Sequence, residues 1–276
     1  MRVRVVPCSL LLAVVTALGA PAAHASSAHS YLSGPDVASH QHPDGVGIDW
    51  TAVRRDGTSF AFVKATEGMT YRNPAFTKDY ADAHDAGLVR SAYHYARPGT
   101  GATSAKDQAQ AFVKVAGTAG TRGDLPLTLD LEESGGLSPS QLVSWTQAFV
   151  AEIRLLTARP TILYTYPYFW QRAMGDSTAF TSLPLWIASY RPGGPKTPLP
   201  GGWKSWTFWQ YTAAGSLAGI HGPVDVSLFS GSQASLDALA DPTAPASPVP
   251  DLPPLPIHLP HLPASPLPPT SHADLS

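Results

Sequence analysis

From Leu127 to Glu132 apolar and polar residues alternate without a break. Leu127, Leu129 and Leu131 take one face; Thr128, Asp130 and Glu132 take the other. Period-two alternation predicts a β-strand. Carboxylates at i and i+2 of a strand project the same way, with Cα atoms roughly 6.5–7 Å apart. Burying unpaired acids is costly, so this face is expected to meet a wet cleft, unless it is the solvent side of an edge strand. Paired carboxylates in a cleft suit the cleavage of glycosidic bonds.

The same reading predicts further strands at Ser33–Val37, Phe60–Ala65, Leu88–Tyr95, Thr161–Thr165, Leu185–Ser189, Ser205–Tyr211 and Val224–Phe229. Asp49 reads as the N-cap of one or two helical turns beginning at Trp50. Asn73, before Pro74 at a first helical position, opens a helix that Gly87 closes. Another helix spans Ser104–Ala116. Ser138-Pro139-Ser140-Gln141 is a capping box, and Leu142, Trp145, Phe149, Ile153 and Leu156 mark one stripe of the helix it starts. Pro167–Met174 is a short helix. Alternating strands and helices predict an α/β fold with a parallel sheet. About eight strands with no spare edge favour a (β/α) barrel over an open sheet. That barrel should be irregular at its end, because no regular helix separates the last two strands.

The two ends of the chain fall outside this pattern. Arg2 and Arg4 precede an apolar run from Val5 to Leu18, and Ala23-His24-Ala25 offers a small-x-small cleavage site. The run is too short to span a bilayer, so residues 1–25 read as a secretory signal peptide and the protein as extracellular. Cys8 is the single cysteine and lies inside that leader, leaving a mature chain without disulfides. Residues 241–276 hold 12 prolines and no glycine, aromatic residue, Lys or Arg, the composition of an extended, disordered tail. The folded domain is therefore expected over residues 31–240, long enough to bury its own core. The formal net charge is −2, and no basic patch invites nucleic acid.

In a (β/α) barrel the chemistry sits at the carboxyl ends of the strands. Asp36, Lys64, Tyr93, Asp130, Glu132, Tyr164, Gln210 and Asp225 fall there. Lys64, with Glu67 three residues on, is a site lysine or a snorkelling surface one. Tyr93 and Tyr164 line a cleft or cap the core, and His94, on the opposite strand face from Tyr93, reads as structural. Trp206 and Trp209 pack inside or stack on sugars. The scattered histidines show no metal-ligand spacing, so no metal is expected. Without a G-x-S-x-G or a thiol in the mature chain, serine and cysteine nucleophiles lack support.

Seven short motifs occur in order: Phe62-Val63-Lys64-Ala65-Thr66-Glu67-Gly68, Ala92-Tyr93-His94-Tyr95, Leu129-Asp130-Leu131-Glu132, Leu163-Tyr164-Thr165, Leu185-Trp186-Ile187-Ala188, Trp209-Gln210-Tyr211 and Gly222-Pro223-Val224-Asp225. Each alone is weak. Together, from about Asp36 to Phe229, the chain resembles the glycoside hydrolase family 25 muramidases, lysozymes that cut bacterial peptidoglycan. The resemblance implies an irregular (β/α) barrel, an acidic groove and Glu132 as the general acid. Asp130, Asp36 and Asp225 match the family's other site acids. Lys64, Glu67, Tyr93 and Tyr164 match groove-lining residues, and Trp186, Trp209 and Gln210 complete the expected substrate-binding set. The enzyme implied is a monomer that acts on peptidoglycan with no cofactor, nucleic acid or membrane.

The start of the domain departs from the family pattern. Gly34-Pro35-Asp36-Val37-Ala38-Ser39-His40-Gln41 keeps the expected Asp and Gln but carries His40 at an aromatic position, and extra residues precede Ile48-Asp49-Trp50. Asp36 is preferred to Asp49 as the site acid, because Asp49 stands where a helix cap is needed. Rival readings are a non-catalytic wall-binding module, an interaction protein working through the Pro-rich tail, and a family 18 chitinase. The last needs an Asp where Thr128 stands.

Overall fold

Alternate side chains of each strand go to two different layers, and that alternation builds the molecule. The computed structural model describes residues 31–243, so the readings of the leader and of nearly all of the tail lie outside the described residues. The strands are β1 (Leu32–Val37), β2 (Phe60–Glu67), β3 (Tyr71–Arg72), β4 (Val89–Tyr95), β5 (Thr128–Asp130), β6 (Ile162–Thr165), β7 (Leu185–Ala188), β8 (Phe208–Gly215) and β9 (Val224–Phe229). The helices are α1 (Trp50–Arg55), α2 (Phe76–Asp85), α3 (Ser104–Ala116), α4 (Pro139–Thr157), α5 (Pro167–Ala173) and α6 (Gln233–Leu239).

Pairing runs β1-β9-β8-β7-β6-β5-β4-β2, and β1 also pairs with β2, so eight strands close a ring while β3 pairs only with β2. Neighbours from β1 through β2 and on to β8 are parallel. β9 runs antiparallel to both β8 and β1. This is the irregular barrel expected, closed by a reversed strand because no crossover helix follows β8.

Outward residues such as Val63, Ala92, Leu129, Leu163, Ile187 and Val226 pack with helix residues Ala83, Phe112, Phe149 and Ile153. Inward residues Phe60, Phe62, Val89, Ile162, Trp186, Phe208 and Phe229 fill the lower barrel. Phe62 stacks on Trp186 with ring centroids 3.9 Å apart. Gly34 is required here, since a Cβ on it would lie 2.1 Å from the Phe60 carbonyl oxygen. Apolar rings fill most of the lower barrel, where Ser91 and Thr128 hydrogen-bond each other at 2.9 Å, and the acidic inward residues stand at its upper end.

Several boundaries move from the expected ones. The fifth strand is short: β5 ends at Asp130, and Glu132 lies just beyond it. The Leu131 amide still donates to the Tyr164 carbonyl at 3.0 Å, which carries the strand direction past its formal end. α2 begins at Phe76, because the Asn73 side chain accepts from the Ala75 amide at 3.1 Å and donates to the Lys64 carbonyl at 2.8 Å. Leu156 stays exposed at the end of α4 instead of joining its buried stripe. α6 was not expected. Its Leu236, with Ala240 after it, closes the barrel floor beside Phe60 and Phe229. Buried Arg159 ties it down, donating to the Ala119, Asp124 and Leu239 carbonyls at 2.7 Å each.

Candidate active site

The upper end of the barrel holds a recess of about 170 Å³ lined by Asp36, Tyr93, Tyr95, Asp130, Glu132, Tyr164, Trp186, Gln210 and Asp225. Asp36 ends the inward row of β1. Asp225 stands directly across from it near the start of β9, which runs down the barrel. Like charges directly opposed on paired strands repel. Gln210 on β8 answers this, its Nε2 donating to Asp36 Oδ2 at 2.9 Å and to Asp225 Oδ2 at 3.1 Å. Burial, together with the Asp225 charge, still pushes the Asp36 carboxyl well above the usual range. Burial lifts Asp225 to about 6.

Asp130 and Glu132 project from the same strand face into the recess, where burial and the charge of Glu132 raise the Asp130 carboxyl. Burial raises both. Glu132 reaches about 7, with the Asp225 and Glu133 charges adding to the rise and Lys64 opposing it. Asp130 also rises well above the usual range, by burial first and then by the Glu132 charge. Its Oδ1 is buried and meets no protein donor. Burial and the surrounding acids hold the Tyr93 and Tyr164 hydroxyls protonated, so they act as donors.

Lys64 and Glu67 form the rim beside this recess. Residues three apart on a regular strand face opposite ways. Here an irregularity between Lys64 and Thr66 brings both to one side, and Lys64 Nζ meets Glu67 Oε2 at 2.6 Å. Arg97 donates to Glu67 Oε1 from Nη2 at 2.6 Å and pairs with Glu133. These hydrogen bonds outweigh burial and hold the Glu67 carboxyl below the usual range. Tyr95 lies beneath both cations, and its hydroxyl donates to Glu133 Oε1 at 3.0 Å.

The family model described as Glycosyl hydrolases family 25 matches residues 35–220. The chain belongs to that family. It is 38% identical over 225 residues to Lysozyme M1 of Streptomyces globisporus, covering 78% of this chain and 73% of that protein. It is 36% identical over 211 residues to the N,O-diacetylmuramidase of a Chalaropsis species, covering 70% of this chain and 96% of that protein. Among solved structures, the bacterial lysozyme of Streptomyces coelicolor superposes with a TM-score of 0.72 at 37% identity, covering 78% of this chain and all of that one. The family 25 match stops short of Asp225, which the β1–β9 pairing nevertheless seats opposite Asp36.

Two expected members of the family 25 substrate set sit elsewhere than in an open groove. Trp209 points outward from β8, 1% exposed among the residues behind the barrel, and donates from Nε1 to the Ser189 carbonyl at 2.8 Å. It is a packing residue, because odd positions of β8 face the outer layer. Trp186 lines the recess only as its floor, donating to Ser227 Oγ at 2.9 Å. Asp49 caps α1 through the Ala52 amide at 3.0 Å and takes no part in the recess. His94 is buried outside the barrel between Thr66 and Gln108, and burial lowers it to about 4. Tyr95, Arg97 and Tyr190 were missed. Each lies two or four residues past an inward position, Tyr93 or Trp186, so the period-two rule extended past the strand end would have found them. Among the described residues no group of three or more His, Cys, Asp or Glu is placed to hold a metal ion.

Proposed function

We propose that this chain is a secreted, monomeric muramidase that hydrolyses the β-1,4 bond between N-acetylmuramic acid and N-acetylglucosamine in bacterial peptidoglycan, with Glu132 as general acid. The observation that carries the reading is the convergence of Glu132 with Asp36, Asp130 and Asp225 on one recess, where burial lifts the Glu132 carboxyl to about 7. It keeps a proton near neutral pH, where an ordinary carboxyl has lost it. The relatives named lysozyme and N,O-diacetylmuramidase support the substrate class. The leader motif at residues 1–25 supports export, and among the described residues no helix is long and apolar enough to cross a membrane.

In this reading Glu132 gives its proton to the glycosidic oxygen as the bond from C1 breaks. The unpartnered Asp130 Oδ1 accepts the N–H of the sugar's own acetamido group and turns its carbonyl oxygen onto C1. Water then attacks C1, returning a proton to Glu132 and releasing the acetamido group. Asp36 and Asp225 add negative charge opposite the developing oxocarbenium ion. A wall-binding module without catalysis has no use for four crowded, partly desolvated acids, whose burial costs stability.

Glu132→Gln tests the assignment. The amide is isosteric and cannot donate the proton, so hydrolysis of soluble glycan should fall roughly 10²–10⁴-fold while wall binding holds and the melting temperature does not fall. Turnover near that of the unaltered enzyme would sink the role of Glu132.

A further inference from the structure

Gln210 has no hydrogen-bonding capacity left to offer a sugar. A side-chain amide carries two N–H donors and an oxygen with two lone pairs. Here Nε2 serves Asp36 on β1 at 2.9 Å and Asp225 on β9 at 3.1 Å. Oε1 accepts from the Tyr164 hydroxyl of β6 at 2.8 Å and from the Tyr190 hydroxyl past β7 at 2.7 Å. The carboxyl Oδ2 atoms lie against the amide nitrogen and the two hydroxyls against its oxygen, so a single amide orientation satisfies all four partners. The backbone contributes as well. β8 shifts register between Gln210 and Thr212 where it pairs with β9, a bulge that sets Gln210 beside the acids on β9 and β1.

We propose that Gln210 is a positioning residue that holds Asp36 and Asp225 at fixed spacing against their mutual repulsion and does not itself touch the glycan. This deepens the muramidase reading and rests on it. The groups facing the amide are Asp36, Asp225, Tyr164 and Tyr190, with Tyr93, Asp130 and Glu132 around the same recess and Lys64 at its rim. Donation from Gln210 is among the effects that restrain the rise of the Asp36 carboxyl. Losing it should leave the aspartates harder to ionise.

The test is the Gln210→Met protein with ¹³C-labelled aspartate carboxyls, titrated by NMR beside the unaltered chain. The Asp36 and Asp225 midpoints should move upward by about one pH unit or more. On soluble glycan kcat should fall by about 10²-fold through misplaced acids while KM stays within about threefold. Should Gln210→Met not fold, Tyr190→Phe removes one hydroxyl that orients the amide, and a smaller upward shift of the same midpoints is expected. Unmoved midpoints in a folded variant overturn the proposal. So does a raised KM with unchanged kcat, the mark of a residue that binds substrate directly. The NMR measurement needs no activity, so its failure is separable from failure of the muramidase reading.

Discussion

Asp225 shows at the scale of one residue what the site costs the fold. Its carboxyl titrates at about 6 and that of Glu132 at about 7, both raised first by burial. An unfolded chain would release these protons near pH 4. Between pH 4 and those values the folded state therefore binds more protons than the unfolded state, and stability falls as pH rises. The penalty is absent below the unfolded value and complete above the folded one. Asp225→Asn removes one contributor. Its melting temperature should exceed that of the unaltered protein at pH 8, and the gap should close by pH 4. Melting curves at the two pH values check this, and a variant less stable at pH 8 would contradict it.

At the scale of elements, residues with a strong local signal were placed well from sequence and those answering to distant partners were not. Asp49 was read as a cap and caps α1; the box at Ser138 opens α4, with Gln141 returning to the Ser138 amide at 2.9 Å. Glu132 and Asp130 were readable because strict alternation forces them to one face. The irregularity that brings Glu67 beside Lys64 has no local marker, since it depends on how β2 pairs with β4. α6 is seven residues long with a single fully buried apolar side chain, Leu236, so its helical stripe is too short to read. Trp209 was assigned by residue type, where its position on the strand already required the outer face. The cap on α1 yields a direct check. Asp49→Ala should destabilise the protein by about 0.5–2 kcal/mol without altering the specific activity of folded enzyme, and Asp49→Ser should recover most of the loss. Denaturant melts paired with activity assays decide it; an inactive, fully stable Asp49→Ser would place Asp49 in the site instead.

The whole molecule divides the work between two ends of one barrel. Phe60, Phe62, Trp186, Phe208 and Phe229 fill the lower part, and α6 with Arg159 seals the floor. The acidic inward residues stand at the upper end, where four acids share one recess and the rim cations Lys64 and Arg97 are already engaged by Glu67 and Glu133. In the muramidase reading this acidic mouth cuts the glycan on the muramic acid side. The most direct measurement is the identity of the new reducing end after purified bacterial walls are digested, reduced with borohydride and hydrolysed to their sugars. Reduced muramic acid, formed by the unaltered protein and absent with Glu132→Gln, is the predicted result; reduced glucosamine, or no new reducing end at all, would contradict it.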